Sequence, residues 1–231
     1  MVLASLKASA QYDPSFSHYW TMEPSYNPAS VGKESKLNFQ LAYNMTMVGF
    51  ENNPRTMYAG LDVPFYFIGA YHGVGIQFLN DQIGLFSHRR IALQYALKMK
   101  LLGGQLSVGV QPGLLSENFD GSKLDLAESN DPAFSTSEIN GTAFDLGAGV
   151  YYSHRLFYAG LSMTHITAPT VEMGETNEIS LSSAYYFTAG GNIKLKNPLL
   201  SLHPSVLART DFVGYRYDIT ARLKYTHEKR M

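Results

Sequence analysis

Apolar and polar positions alternate with a period of two along most of this chain. From Ile91 the odd positions run Ile91, Leu93, Tyr95, Leu97 and Met99, and the even ones Arg90, Ala92, Gln94, Ala96, Lys98 and Lys100. Successive side chains leave opposite faces of a pleated backbone, so the pattern predicts a strand. Gly103-Gly104 supplies the positive-φ positions of a tight hairpin. The return strand sets Leu106, Val108 and Val110 against Gln105, Ser107, Gly109 and Gln111. Near the start, Leu37, Phe39, Leu41, Tyr43, Met45 and Met47 oppose Asn38, Gln40, Asn44 and Thr46. Near the end, Tyr215, Tyr217, Ile219, Ala221, Leu223 and Tyr225 oppose Arg216, Asp218, Thr220, Arg222, Lys224 and Thr226. Further strands are predicted near 55–64, 72–80, 88–101, 104–115, 142–153, 156–166, 180–195, 199–209 and 214–226, about ten in all.

Half of a soluble sandwich and part of a membrane barrel both fit this alternation. Strand length separates them: several runs exceed the ~5–6 residues of soluble sheets and match the ~9–11 that a tilted strand needs to cross a bilayer. Connections also alternate. Leu102-Gly103-Gly104, Ser153-His154-Arg155 and Asn197-Pro198 are short, while Asn80 to Ser87, Ser116 to Asn140 and Thr167 to Ile179 are long. Outer-membrane barrels have short periplasmic turns and long extracellular loops. One link, Pro64 to Gly73, falls on the short side yet is expected to be longer than its neighbours.

Charge parity points the same way. Lys36, Asp62, Lys98, Lys100, Asp145, Lys194, Arg209, Arg216, Asp218, Arg222 and Lys224 all sit opposite the bulky apolar set. Arg55 and Arg89 share the apolar parity, at strand ends. Lys or Arg facing lipid at the midplane costs roughly 2–4 kcal/mol, which such parity avoids. A soluble sandwich would show it too, but would not need a polar face so rich in Gly73, Gly75, Ala92, Ala96, Gly109, Gly147, Gly149 and Gly160. The predicted fold is all-β: a transmembrane antiparallel β-barrel of outer-membrane type, its apolar face solvated by lipid.

Composition narrows the function. In 231 residues only 16% are charged and the net charge is −1. That lacks the basic stripe of a nucleic-acid binder, so no nucleic-acid partner is expected. There is no cysteine, and the seven histidines show no metal-ligand spacing. HExxH, GxSxG and P-loop patterns are absent from the sequence, so no catalytic, cofactor or metal site is predicted.

The chain divides in three. Residues 1–10 read as the remnant of a signal peptide, with Ala8-Ser9-Ala10 as a small-x-small cleavage pattern and Gln11 as the first mature residue; a disordered start is the alternative. Residues 11–34 form an N-terminal periplasmic or plug segment. There Tyr12, Phe16, Tyr19, Trp20 and Tyr26 are interleaved with Pro14, Pro24 and Pro28, which deny a strand its ladder donors. These aromatics are candidates for docking a partner or for packing under the barrel mouth. Residues 35–231 make the barrel domain, with Asp62, Lys98, Lys100, Asp145, Arg216, Asp218, Arg222 and Lys224 as candidate lumen charges. They form either a basic lumen or a salt-bridged interior.

Several stretches carry more than a pattern. QYDPSFSHYWTMEPSYNPASVG (11–32) resembles the mature N-terminus of the PorP/SprF family through Asp13-Pro14, Phe16-Ser17, Tyr19, Asn27-Pro28-Ala29 and Gly32. MVGFENNPRTMYAGLDVP (47–64), GVGIQFLNDQIG (73–84), GGQLSVGVQPGL (103–114), NDPAF (130–134) and FDLGAGVYYSHRLFYAGLSMTHI (144–166) continue the similarity. The resemblance implies an outer-membrane component of the type IX secretion and gliding machinery of Bacteroidota, not an enzyme. It would serve export or surface anchoring of cell-surface proteins. Implied partners are other secretion components at the periplasmic face and the C-terminal domain of a secreted client at the outer face. A passive outer-membrane pore or small-solute transporter is the alternative. The resemblance also implies a barrel of about fourteen strands. Here about ten are counted and the chain stops at THEKRM, so the last strands are expected to be missing.

Overall fold

The computed structural model describes residues 13–50, 52–121, 138–173, 177–197 and 199–226. Residues 1–10, expected to be a signal-peptide remnant, Tyr12 and most of the expected 116–140 loop lie outside the described residues. Every strand predicted from the alternation is present: β1 (Asn38–Met45), β2 (Arg55–Phe67), β3 (Ala70–Ile83), β4 (Phe86–Leu101), β5 (Gly104–Asp120), β6 (Glu138–Ser153), β7 (Phe157–Thr164), β10 (Ala184–Gly191), β12 (Leu200–Thr210) and β13 (Tyr215–Tyr225). Short additions are β8 (Thr170–Met173), β9 (Asn177–Ser180) and β11 (Ile193–Lys194). β11 continues β10 in the same register along β12, so the two are one strand interrupted at Asn192.

The long strands run as an antiparallel meander, each hydrogen-bonded to the next in the chain. Among the described residues, β1 pairs only with β2 and β13 only with β12, so the sheet is not closed on itself. The all-β antiparallel meander expected from the sequence is present, and closure into a barrel is not seen among these residues. Alternation identifies strands and faces but carries no information about what an edge strand pairs with.

Two loop expectations change. Pro64 to Gly73 is not a long link, because β2 and β3 pair as far as Phe67 and Ala70 and turn at Ile68-Gly69. Asn80 to Ser87 is not a long loop either, since β3 and β4 pair up to Ile83 and Phe86. In both, polar residues and Pro64 masked a ladder that continued through them. The 167–179 loop contains the β8–β9 hairpin, whose Val171 and Met173 are buried with Leu181 against Leu115 of β5.

The molecule is inverted relative to a soluble protein. Its outer face carries exposed Phe39, Leu41, Leu61, Leu93, Val110, Leu161, Phe187 and Tyr217, with Ile219 82% exposed. The opposite parity is buried and polar: Asp62, Gln77, Arg90, Gln94, Lys98, Gln111, Asp145 and Arg209. On β4 the apolar side runs from Ile91 to Leu101, about 34 Å of strand, or roughly 26 Å tall at barrel-like tilt. That height matches the ~25 Å apolar band of outer-membrane proteins.

Candidate functional site

What fills the polar side is the chain's own N-terminal segment. Its prolines keep it out of the sheet, and it coils through three short 3₁₀ turns at Tyr19–Thr21, Glu23–Ser25 and Pro28–Ser30. Residues 22–32 are buried throughout. A buried backbone without a ladder must find other partners, and strand side chains supply them. Gln94 Nε2 donates to the Pro24 carbonyl at 2.6 Å, Arg90 Nη2 to Ser25 O at 3.3 Å and Ser162 Oγ to Tyr26 O at 2.7 Å. Asp62 accepts from the Gly32 amide at 2.7 Å and from Asn38 Nδ2 at 2.9 Å.

The glycines of the polar face make room for this seat. A Cβ on Gly109 would lie 2.4 Å from the Ala29 amide nitrogen, and one on Gly149 would lie 2.2 Å from Asn27 Oδ1. Asn27 in turn caps the third turn, accepting from the Ala29 amide at 3.0 Å, and donates to Val150 O at 3.3 Å.

Two ionic anchors fix the ends. At the first, Asp13 Oδ1 accepts from Arg90 Nη1 at 3.2 Å and lies 3.3 Å from His165 Nε2. Asp13 Oδ2 accepts from Tyr186 OH at 2.7 Å and Thr164 Oγ1 at 3.1 Å, while Arg209 Nη1 donates to the Asp13 carbonyl at 2.6 Å. His165 Nδ1 is 3.1 Å from Asp145. Burial by itself would raise the Asp13 pKa, but the His165 and Arg90 charges and their hydrogen bonds outweigh it and hold the carboxyl well below its usual range. Burial would likewise lower His165; Asp13 and Asp145 overcome it and push the imidazole up to about 9. Each group thus favours the charged form of the other. At the second anchor, Glu23 is paired with Lys33 at 2.5 Å and accepts from Tyr151 OH at 3.2 Å. The Lys33 ammonium also lies 5.3 Å from the Tyr151 and Tyr158 ring centres.

The sequence-predicted residues distribute around these anchors. Tyr19 is 2% exposed, with its hydroxyl 2.9 Å from Ser205 Oγ. Tyr26 stacks on Tyr186 at 5.7 Å, Phe16 is half-buried against Tyr58 at 5.5 Å, and half-buried Trp20 lies under the Arg222 guanidinium at 4.8 Å. Tyr12 lies outside the described residues. Of the candidate lumen charges, Asp62, Lys98 and Asp145 are buried. Arg216 pairs with Asp218 at 3.1 Å and with Ser15, whereas Lys100 and Lys224 are exposed and join neither anchor. Sequence reasoning missed Asp13, Glu23, Lys33, Arg90, His165 and Arg209 as a site. The available signals were the position of Asp13-Pro14 within the family-like stretch and the place of Arg90 and Arg209 on the polar parity.

The interior is not filled everywhere. A cavity of about 390 Å³ adjoins the first anchor, bounded by Asp13, His88, His165, Leu181 and Arg209. Another of about 760 Å³ lies beside the open seam, bounded by Trp20, Lys33, Lys36, Asp62 and Arg222.

An apolar exterior around a polar, occupied interior is the arrangement of membrane proteins built from strands. Residues 8–230 match the type IX secretion system membrane protein family PorP/SprF, and the chain belongs to that family. The family is a membrane component of the secretion machinery. No curated protein and no solved structure matches the chain.

Proposed function

We propose that this protein is a non-conducting outer-membrane scaffold of the type IX machinery, needed for export or surface anchoring of cell-surface proteins, including gliding adhesins. Apolar strands float in lipid and hold the connections from β5 to β6 and from β7 to β10 at the cell surface, where the C-terminal domain of a client docks. The tight turns face the periplasm and the other secretion components. In the membrane the β1 and β13 edges need strand partners, because each unsatisfied backbone group in hydrocarbon costs several kcal/mol. The observation that carries this reading is the occupied interior. Residues 13–34 are tied to β2, β4, β7, β10 and β12 by side-chain hydrogen bonds and ion pairs, which suits a filled support better than a channel. The aromatics Phe16, Tyr19, Trp20 and Tyr26 serve this packing.

The cavity of about 760 Å³ beside the seam favours the second reading, a passive pore or small-solute transporter. Planar-bilayer recording decides between them. The scaffold gives no steady single-channel conductance, and a deletion strain loses surface proteins. Open-channel current with normal secretion in the deletion strain would reverse the assignment.

A further inference from the structure

Charge is sorted by end in this molecule. At the end of the tight turns, Lys36, Lys100, Arg155, Lys194, Lys196 and Lys224 are all exposed. Lys36 is 3.2 Å from Glu34; the other five have no carboxylate within ion-pair distance among the described residues. At the opposite end the balance inverts: Asp81, Glu117, Asp120, Glu172, Glu178, Asp211 and Asp218 near the loops outnumber Arg55, Arg89, Arg90, Arg209 and Arg216.

The turn tips themselves are apolar. Ile68 and Leu102 are 84% and 87% exposed. Both hold positive φ, 45° and 46°, a conformation that hairpins normally give to Asn, Asp or Gly. A turn bathed in water gains nothing from Ile there. The cations do not make a patch. They recur at the start of β1, the end of β4, the β6–β7 turn, the β11–β12 connection and the end of β13, from one edge of the sheet to the other. A protein partner is met through a compact cluster of anchors, whereas a layer of headgroups is met by a ring. Lys100, Lys194 and Lys224 stand on the inner parity but at the rim-side ends of their strands, where they are exposed and a long side chain can snorkel past the rim; Arg155 and Lys196 lie in the turns themselves.

We propose that the tight-turn end is a collar for anionic phospholipid headgroups, whose phosphates accept from Lys100, Arg155, Lys194, Lys196 and Lys224 while Ile68 and Leu102 reach into the ester region. This rests on the reading that the outer face is solvated by lipid. Basic residues at a membrane surface attract anionic lipid with roughly fivefold preference per cation, and salt screens that attraction.

The full chain, reconstituted in bilayers with spin-labelled phosphatidylglycerol or phosphatidylcholine, tests the collar by electron spin resonance. At low salt, labelled phosphatidylglycerol should associate about fivefold more strongly than phosphatidylcholine. The preference should vanish near ~1 M salt and in the combined variant Lys100→Gln, Lys194→Gln, Lys196→Gln, Lys224→Gln. It should persist in Arg55→Gln, Arg89→Gln at the other end. Should the combined variant not fold, the salt titration of the unaltered protein carries the test alone. Equal association of both lipids at low salt overturns the collar while leaving the lipid-facing exterior intact. Absence of any motionally restricted lipid of either kind would overturn the lipid-facing exterior, and the collar with it.

Discussion

Leu93 and Gln94 are neighbours in the chain and live in different solvents. Leu93 is 59% exposed on the outer face, in a row with Ile91 and Tyr95. Gln94 is 4% exposed and divides its amide between the Pro24 carbonyl and Gln111 Oε1. The outer row must only be apolar, since hydrocarbon is a uniform solvent without directional demands. The inner row must be particular, because each buried polar group requires its own partner at its own distance. Substitutions therefore have opposite logics on alternate residues of one strand. On the outside chemistry matters and shape does not; on the inside both do.

The inner face should break hardest at Asp13. Replacing it with Ala leaves Arg90 and His165 buried around a missing carboxylate, and breaking such a pair costs about 3–5 kcal/mol. The folded band on an unboiled gel should disappear at a markedly lower temperature, with residues 13–34 newly open to protease. The same anchor sets a pH window. Asp13, held low, contributes stability above the unfolded carboxyl value near ~3.9 and loses it as pH falls through its lower folded value. His165, held up near 9, contributes fully below ~6.5 and loses its share as pH rises through about 9. Amide protection in 13–34, measured relative to the intrinsic exchange rate at each pH, should be greatest between those limits. Unchanged protection from pH 6 to pH 10 would mean that His165 carries no part of the hold.

The outer face should break next, at Leu93→Arg, through chemistry alone. A midplane cation facing lipid costs roughly 2–4 kcal/mol, while Leu93→Ile or Leu93→Met should be almost silent. Spin labels sharpen the contrast: a label at 93 should relax with oxygen and one at 94 should be reached by neither oxygen nor aqueous reagents. Aqueous access at 93 would place this face in water and remove the membrane reading.

How far these contrasts were visible in the sequence follows from their range. Parity is local, so the burial of Asp62, Lys98 and Asp145 opposite exposed Leu61, Met99 and Phe144 could be read directly. Pairing across the interior is not local. Asp13 meets Arg90 and His165 across 77 and 152 positions, and nothing near Asp13 announces either. The Gly- and Ala-rich polar face was noticed, but what it makes room for depends on the path of residues 27–32. The turns at 68–69 and 84–85 were missed because polar residues and Pro64 look like loop. Pro64 sits opposite Gly73 in the ladder, where glycine takes the backbone of Val31 and leaves no side chain to compete.

A milder inner test is Gly149→Ala, which adds one methyl group where Asn27 Oδ1 would be 2.2 Å away. Overpacking of this kind costs about 1–3 kcal/mol, and the Asn27 cap is the contact that must give. The matching change on the outside, Val150→Ala, removes atoms from an exposed position and should move the gel transition far less. Equal shifts would mean the segment does not lie on the glycines.

The smallest effect asks whether the inner face extends to the last strand. Arg222 of β13 stands 4.8 Å from the Trp20 ring, and such half-buried cation–π pairs contribute about 0.5–1 kcal/mol. Trp20 is the chain's single tryptophan, so its emission reports this contact without background. Arg222→Gln should shift that emission and destabilise slightly, and Trp20→Phe should destabilise alone. A double-mutant cycle should return a coupling of about 0.5 kcal/mol or more. Among the described residues β13 is bound to the sheet only through β12, and Trp20 and Ser15 tie it to the N-terminal segment. If the two changes add without coupling, β13 stands away from the segment, the seam cavity widens, and the interior gains the continuous polar path that a conducting barrel requires.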